Sequence, residues 1–381
     1  MRPRVLLVAG EASGDLRGAE LVRELRTLVP DVEIIGVGGE KLRAAGMDVT
    51  VPAADLSIMG LTEVTSRLPT VLRSYKRLRD EILGRGPDGR KPDLLLPIDF
   101  PDFNLRLAAV AKRAGVPVFY YVSPQVWAWR RYRVKTLARR VDRLAVVFPF
   151  EEDLYRGRTD VTFVGHPGLE TVRAERSREE VRAGLGITDD RPLVALLPGS
   201  RGAEVRELLP PMRAALGLLT TPVHAAVALA DESLRGLVEE LAPDVPRVVG
   251  ETYDLVAAAD LVLVASGSAS LETALLGRPM IICYRLSAVS YAVARALVRV
   301  PFIGMPNLIL DKAAVPELIQ ADVTPERIAA EARRILDDPD RSAAIEGDLR
   351  RVRERLGEPG AAGRAAKIAA DMLVVGPGGV G

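Results

Sequence analysis

The first half of the chain alternates short, almost entirely apolar runs with longer segments in which apolar residues recur every three or four positions. Near-continuous apolar runs are typical of strands buried on both faces of a parallel sheet, and the longer segments predict amphipathic helices. This alternation indicates a doubly wound βαβ fold. The predicted strands are Val5–Ala9, Val32–Val37, Leu94–Ile98, Val116–Val122, Leu144–Phe148 and Val161–Val164, with helices such as Arg17–Leu28 and Asn104–Ala114 between them.

A polar, charge-rich stretch from Glu170 to Arg191 interrupts the alternation, which then restarts. We therefore predict an α/β protein of two Rossmann-like, doubly wound parallel-sheet domains facing a cleft. The predicted domains are residues 1–170 and 171–355, and a C-terminal helix with a frayed tail at 356–381 could return to the N-terminal domain. The strands predicted for the second domain are Leu193–Leu197, Ala225–Ala230, Val248–Val249, Leu261–Ala265 and Met280–Tyr284.

Composition narrows the class of protein. A chain of 381 residues exceeds the usual size of a single core, which agrees with two domains. Its 48% hydrophobic and 27% charged residues exclude wholesale disorder, and its net charge of +1 gives no bulk attraction to nucleic acid. One Cys and two His exclude an internal disulfide and disfavour a metal site built from those residues.

We expect a cytoplasmic protein that is soluble or, at most, peripheral on the membrane. The N-terminal apolar run ends in a Gly/Ser/acidic turn, unlike a signal peptide. The longest uncharged stretch, Ala214–Ala230, is shorter than the ~20 apolar residues of a membrane-spanning helix.

Candidate chemistry lies after the strands, because open α/β sheets bind ligands beyond the carboxyl ends of their strands. The small-residue turn Gly10–Asp15 follows the first strand and could hold an anion or a sugar on its N–H groups; a tight turn capped by Asp15 is the alternative. Asp99 follows Leu94–Ile98 and faces the predicted cleft, which suits a general base, although a loop hydrogen bond remains equally open. We expect Asp102 to cap the next helix.

The segment after the fourth strand combines both tryptophans of the chain, Trp127 and Trp129, with a serine and a glutamine. It could line a ligand site or belong to the core. The basic run Arg130–Arg140 is either a solvated helix face or a contact for phosphate or membrane. Leu61–Leu83 has apolar residues at helical spacing with basic residues between them, which fits a core-facing helix or a surface for an amphiphile, and Pro69 predicts two helices there.

Two motifs of the second half could bind a nucleoside diphosphate or could be ordinary turns. We favour the nucleoside diphosphate, because both motifs follow strands of one predicted sheet. In the first, Gly199 and Ser200 open a turn whose N–H groups suit a phosphate, and Arg201 could pair with it bidentately. In the second, small residues lead into a helix N-terminus at Ser268–Ser270, and Glu272 could accept hydrogen bonds from a ribose diol.

Taken together, these motifs resemble those of the lipid-A-disaccharide synthases, in family order over nearly the whole chain. The combination of the tryptophan motif with the Leu-Pro-Gly-Ser-Arg motif is the most specific part of the likeness. The matching segments are GEASGD (Gly10–Asp15), IDFPDFN (Ile98–Asn104), YVSPQVWAWR (Tyr121–Arg130), FPFE (Phe148–Glu151), VGHP (Val164–Pro167), LLPGSRGAEV (Leu196–Val205), ASGSASLETAL (Ala265–Leu275) and PNL (Pro306–Leu308).

The resemblance implies a GT-B fold and an inverting, metal-independent glycosyltransferase without a cofactor. The implied donor is UDP-2,3-diacylglucosamine, and the implied acceptor is 2,3-diacylglucosamine 1-phosphate, joined through its 6-hydroxyl in a β-1,6 bond with release of UDP. The implied base is Asp99. The donor side would comprise Ser200, Arg201, Ser268, Ala269, Ser270, Glu272 and Asn307, and the acceptor side Glu11, Ser13, Met59, Asn104, Ser123, Gln125, Trp127 and Arg130.

The expected partners are therefore these two substrates and the inner surface of the cytoplasmic membrane, and no nucleic acid; a homodimer is one option. Three other functions stay open. A transferase of UDP-N-acetylglucosamine to an undecaprenyl acceptor would predict a His in the first Gly-rich loop, which Gly10–Asp15 lacks. A UDP-sugar epimerase would need more acid and base groups, and a non-catalytic nucleotide-sugar binding protein would keep Arg201 and Glu272 without a use for Asp99.

Overall fold

The computed structural model describes residues 2–56, 63–124, 126–129, 133–286, 291 and 300–375. The chain divides into two compact units: residues 1–167 with 358–381 form the first, and residues 168–357 form the second. The sequence placed these boundaries after residues 170 and 355.

The first unit, in its described residues, is built on a parallel seven-stranded sheet with the order β3-β2-β1-β4-β5-β6-β7. Its inner strands are apolar on both faces and are buried, as their sequence predicted. The strands are β1 Arg4–Ala9, β2 Glu33–Gly38, β3 Asp48–Pro52, β4 Leu94–Ile98, β5 Phe119–Tyr121, β6 Arg143–Val146 and β7 Asp160–Phe163. The helices are α1 Ala12–Leu28, α2 Glu40–Ala44, α3 Glu63–Ile82, α4 Pro101–Ala114, α5 Val126–Trp129, α6 Arg133–Arg140 and α7 Pro149–Tyr155, with a 3-10 turn at Ala53–Asp55.

The second unit repeats this design with a parallel sheet of six strands among its described residues, in the order β10-β9-β8-β11-β12-β13. The strands are β8 Leu193–Leu197, β9 His224–Leu229, β10 Arg247–Val249, β11 Leu261–Ala265, β12 Met280–Tyr284 and β13 Glu317–Ile319. The helices are α8 Gly168–Thr171, α9 Arg178–Gly184, α10 Gly202–Leu216, α11 Arg235–Leu241, α12 Thr252–Ala258, α13 Ser268–Leu275, α14 Met305–Leu310, α15 Pro325–Leu336 and α16 Pro339–Arg355, with 3-10 turns at Glu232–Leu234 and Gln320–Asp322. The predicted fold of two Rossmann-like parallel-sheet domains is confirmed.

The last helix, α17 (Ala361–Val375), belongs to the first unit and packs against α1. Its Arg364 donates from Nε to the carbonyl oxygen of Val164, 2.9 Å away, which ties the start of the helix to the end of β7. Among the described residues, none of these helices is long and apolar enough to span a membrane.

The prediction of two helices around Pro69 is wrong, because α3 runs through the proline from Glu63 to Ile82. A proline inside a helix costs ~3 kcal/mol. The C-terminal part of α3 is anchored by Leu78 and Ile82, both fully buried in the core of the first unit, and this packing offsets the cost.

Each sheet has one point at which the strand order reverses, and open α/β sheets bind ligands there. In the first unit it lies between β1 and β4, where Ala9 pairs with Ile98. In the second unit it lies between β8 and β11, where Leu197 pairs with Val264. The loops that follow these four strands carry the predicted motifs, so the topology brings them together in pairs.

Candidate functional site

The loops after β1 and β4 contact each other at the first reversal point. A Cβ added to Gly10 would lie 2.6 Å from the ring of Phe100, so only glycine allows this approach. Glu11 immediately precedes α1 and Ser13 lies in its first turn, and both are exposed. These two predicted acceptor-side residues are therefore accessible beside the loop that contains Asp99.

Asp15 has a structural task in this region. Its buried carboxylate accepts hydrogen bonds from the backbone N–H groups of Gly39, Lys41 and Leu42, at 2.6, 3.0 and 3.2 Å. These groups lie at the N-terminus of α2, which leaves its first N–H groups without partners inside the helix. The alternative interpretation, in which Asp15 caps its own turn, therefore does not hold: its carboxylate caps α2 and joins that helix to α1.

Asp99, the predicted base, is half-buried directly after β4. Its φ is +46° and that of Phe100 is +49°, so two consecutive non-glycine residues have the left-handed conformation. Such residues cost ~1–3 kcal/mol each and cluster at functional sites. The carbonyl oxygen of Asp99 accepts hydrogen bonds from Nδ2 of Asn104, at 2.7 Å, and from the hydroxyl of Tyr120.

The surroundings of Asp99 make its carboxylate a stronger base than usual. Burial raises the pKa of Asp99, while the guanidinium of Arg17 and the N–H of Phe100 act in the opposite direction. Arg17 also acts on His166, whose pKa falls to about 3, mainly through burial and secondly through that cation. Sequence reasoning did not single out Arg17, which lies on α1, far from Asp99 along the chain.

Asp102 does not cap α4 as predicted. The helix begins at Pro101, its N-cap is Phe100, and no side chain caps it. Asp102 lies in the first helical turn, is 71% exposed and forms an ion pair with Arg133 of α6. A carboxylate at this position still interacts favourably with the helix dipole.

Asn104, predicted on the acceptor side, lies under the loop and is fully buried. Its amide nitrogen donates to the carbonyl oxygens of Val8, Ile98 and Asp99, at 3.4, 3.3 and 2.7 Å. The side chain therefore connects the ends of β1 and β4 and supports the turn from below.

Trp127 is buried in an aromatic cluster of the first unit. Its ring meets Phe148 and Phe150 edge-on, with centroids 6.4 and 5.2 Å apart, and the rings of Phe148 and Phe150 are stacked. His166 lies against Phe148 at 5.3 Å. Ser123, also buried, has its hydroxyl 2.9 Å from that of Tyr155.

Glu151, at the start of α7, is a functional candidate that sequence reasoning missed. It is 1% exposed, and burial raises its pKa to about 8, although the N–H groups of Phe148 and Val147 and the hydroxyl of Ser123 oppose the shift. The charge of Asp99 raises the pKa further, so the two carboxyls interact. The available sequence signal was a proline at the first helical position with a glutamate two residues later, whose Oε2 accepts from the N–H of Phe148 at 3.1 Å.

Three predicted acceptor-side residues, Met59, Gln125 and Arg130, lie outside the described residues.

At the reversal point of the second unit, Glu204 organises the loop after β8. Its Oε2 accepts from the N–H of Ser200 at 3.1 Å, and its Oε1 lies 2.8 Å from the guanidinium of Arg201. Gly199 has a φ of +120°, and a Cβ there would lie 2.4 Å from Glu204 Oε2. Arg201 is 79% exposed, so its guanidinium can exchange this carboxylate for a phosphate. The predicted site did not include Glu204. Its position three residues after the N-cap is one from which a glutamate commonly reaches back to the N–H groups before the helix.

The loop after β11 leads into α13, whose first residue, Ser268, is exposed and whose second, Ala269, is half-buried. Ser270 is fully buried, and its hydroxyl donates to the carbonyl oxygen of Gly267 at 2.8 Å. Its N–H donates to the same oxygen at 3.2 Å, so both groups of Ser270 shape the turn between β11 and α13. Burial raises the pKa of Tyr253 on α12, and the charge of Glu272, the predicted ribose contact, raises it further.

Asn307 is buried with its hydrogen-bonding capacity fully used. Its amide nitrogen donates to the carbonyl oxygen of Val315 and to Glu317, and its oxygen accepts from the N–H groups of Ala314 and Val315, all within 3.0 Å. Asn307, which was predicted to contact the donor, thus fastens α14 to the segment before β13 and to Glu317, the first residue of that strand.

The described part of the chain brings no group of three or more His, Cys, Asp or Glu side chains together in an arrangement that could hold a metal ion. The guanidinium of Arg201 and the N–H groups at the start of α13 can meet the negative charge of a phosphate themselves.

A family model described as lipid-A-disaccharide synthetase matches residues 5–372. The lipid-A-disaccharide synthase of Syntrophus aciditrophicus (strain SB) is 48% identical over 378 residues, which are 97% of this chain and 97% of that protein. The enzyme of the same name from Myxococcus xanthus (strain DK1622) is 43% identical over 380 residues, covering 97% of this chain and 98% of that one.

Solved structures of similar fold have low sequence identity. The UDP-GlcNAc 2-epimerase from Neisseria meningitidis bound to UDP-GlcNAc aligns with a TM-score of 0.64 at 13% identity, over 97% of this chain and 99% of that chain. The calicheamicin glycosyltransferase CalG4 aligns with a TM-score of 0.59 at 16% identity, over 98% of both chains. These likenesses concern the fold, which glycosyltransferases and epimerases share.

Proposed function

The chain belongs to the lipid-A-disaccharide synthase family of glycosyltransferases, and from this premise we propose the reaction that it catalyses. The proposed donor is UDP-2,3-diacylglucosamine, and the proposed acceptor is 2,3-diacylglucosamine 1-phosphate. The 6-hydroxyl of the acceptor attacks the anomeric carbon of the donor, the bond from that carbon to the phosphate oxygen of UDP breaks, and a β-1,6 bond forms with inversion.

The observation that carries this proposal is the placement of Asp99. Asp99 follows a strand at the reversal point of the sheet, where open α/β sheets bind ligands, and its main-chain carbonyl is held by two buried donors. Burial raises the pKa of Asp99, which makes its carboxylate a better proton acceptor. Asp99 would take the proton of the 6-hydroxyl as the new bond forms.

The leaving UDP would be stabilised by the second unit. Arg201 is exposed and would pair with the diphosphate, and the N–H groups at the start of α13 would add their partial positive charge. Glu272 would accept from the ribose. We propose that these groups suffice without a metal ion or other cofactor.

An anionic, acylated acceptor requires a surface that is both apolar and basic, and α3 offers one. Leu68 and Leu72, one helical turn apart, are 49% and 57% exposed. Arg73 and Lys76 are exposed on the same helix. We propose that this face meets the acyl chains and anionic lipids at the inner surface of the cytoplasmic membrane.

The direct test is to incubate the purified protein with both diacylated substrates and to follow UDP and disaccharide by mass spectrometry. Asp99→Ala is expected to lower turnover by about 10²–10⁴-fold, the usual contribution of a general base, while UDP binding by calorimetry is retained. Asp102→Ala removes a neighbouring exposed carboxylate and serves as the matched control.

Absence of disaccharide with the unaltered protein would refute the synthase reaction, and a turnover of Asp99→Ala within a few-fold of normal would refute the assignment of the base. An activity that EDTA abolishes and Mg²⁺ restores would refute the metal-independent mechanism.

A further inference from the structure

We propose that Tyr120 and Asn104 are positioning residues that hold the main chain of Asp99 and thereby aim its carboxylate. This inference rests on the proposed role of Asp99 as the base and extends it to two side chains that lie on the protein-interior side of the turn.

The geometry concentrates two side-chain donors on one backbone oxygen. The carbonyl of Asp99 accepts from the hydroxyl of Tyr120 and from Nδ2 of Asn104, and both donors belong to fully buried side chains. Tyr120 lies on β5, next to β4 in the sheet, and Asn104 lies in the first turn of α4. The carbonyl is thus fixed from a strand and from a helix that are themselves part of the core.

The turn needs this support because of its backbone conformation. Asp99 and Phe100 both have positive φ, a region that non-glycine residues leave unless the surrounding structure holds them there. Rotation of the peptide between them would swing the Asp99 carbonyl away from its two donors. Each buried hydrogen bond stabilises the turn, and a buried donor left without its acceptor costs more than the bond contributes. The two bonds therefore oppose relaxation of the strained backbone.

Tyr120 is suited to act as a permanent donor. Burial, and secondly the charge of Asp99, raise the pKa of its hydroxyl well above 10, so the proton stays on the oxygen. A hydroxyl can donate only one hydrogen bond, and that of Tyr120 goes to the carbonyl oxygen of Asp99.

The test is Tyr120→Phe, which keeps the ring and removes only the hydroxyl. Because misplacement of a reacting group by about 1 Å can cost 10²-fold, we expect kcat to fall about tenfold to a hundredfold, with KM for both substrates and UDP affinity within twofold of normal. Tyr75→Phe is the matched control: it removes the hydroxyl of another tyrosine of the first unit, whose ring packs edge-on against Phe103.

A double-mutant cycle separates positioning from general stability. If Tyr120 acts through Asp99, adding Tyr120→Phe to Asp99→Ala leaves the residual single-turnover rate unchanged within twofold. A further drop equal to that seen in the unaltered protein would overturn the proposal, and so would a Tyr120→Phe enzyme with normal kcat. If circular dichroism shows that Tyr120→Phe does not fold, Asn104→Ala replaces it in the same double-mutant cycle with Asp99→Ala and tests the positioning role.

Failure of the underlying function would look different. If Asp99→Ala alone kept normal turnover, or if the unaltered protein formed no disaccharide, the proposed function would fail. If Asp99→Ala behaves as expected and the cycle is additive, only the positioning role is refuted.

Discussion

Glu151→Gln is expected to change how the stability of the first unit depends on pH. The Glu151 carboxyl is buried and its pKa is raised from 4.5 to about 8, so the folded state binds its proton more tightly than the unfolded state. Its stabilising contribution is complete below pH 4.5 and is lost progressively as the pH rises through 8. Glutamine resembles the protonated carboxyl in shape and has no proton to lose in this range.

The size follows from the two pKa values. At 1.36 kcal/mol per pKa unit the rise corresponds to roughly 5 kcal/mol, of which about 3 kcal/mol is lost between pH 5.5 and pH 8.5. The free energy of unfolding of Glu151→Gln, relative to the unaltered protein, is therefore expected to increase by about that amount over the same interval.

The assay is urea unfolding followed by tryptophan fluorescence. Both tryptophans of the chain, Trp127 and Trp129, lie in the first unit, and Trp127 contacts the phenylalanines that precede Glu151, so the signal reports on this unit alone. Glu152→Gln, which removes a carboxylate from the next, less buried position, is the control. If the unfolding free energies of Glu151→Gln and the unaltered protein run parallel from pH 5.5 to 8.5, then burial does not hold the proton on Glu151.

Three further predictions concern the loops and their supports. Arg17→Gln removes the cation that lowers the pKa of Asp99, so the acid limb of the pH profile of kcat/KM should move to higher pH. Arg17→Lys should leave that limb nearly in place. If the limb does not move in either variant, Arg17 and Asp99 are not electrostatically coupled. Gly199→Ala places a Cβ 2.4 Å from Glu204 at a φ of +120° and should weaken UDP binding by about tenfold in calorimetry, without changing the tryptophan-monitored transition. Asp15→Ala leaves three N–H groups at the start of α2 without their acceptor and should lower the unfolding free energy by about 1–3 kcal/mol, with turnover kept within twofold; a large loss of turnover would place Asp15 in the site instead.

The predicted site residues are of two kinds, which relate differently to the sequence. Asp99 and Arg201 follow apolar strands, and the rule that ligands bind at strand ends was sufficient to select them. Asn104 and Asn307 lie in equally distinctive motifs, yet both amides point inward and bond to main-chain groups. A motif shows that a residue type matters at a position but does not show which way the side chain points.

Glu151 and Arg17 are the opposite case: residues that the sequence did not single out but that the structure couples to Asp99. Each is an ordinary residue of an amphipathic or capping pattern when seen along the chain. Arg17 acts on Asp99, and Asp99 acts on Glu151, because the sheet order β1-β4-β5-β6 brings together segments that are far apart along the chain. Electrostatic interaction depends on distance in space and on burial, and neither is visible in a single helix.

The sequence by itself determined the two parallel sheets, their buried strands and the loops in which chemistry could occur, because hydrophobic period and small-residue turns act locally. The tertiary structure alone decided which loops meet, at the β1/β4 and β8/β11 reversals, and which polar side chains serve the protein and not a ligand. Asp15 shows the difference most clearly: its place in a turn is local information, but the three N–H groups that its carboxylate caps belong to another helix, 24 to 27 residues further along the chain.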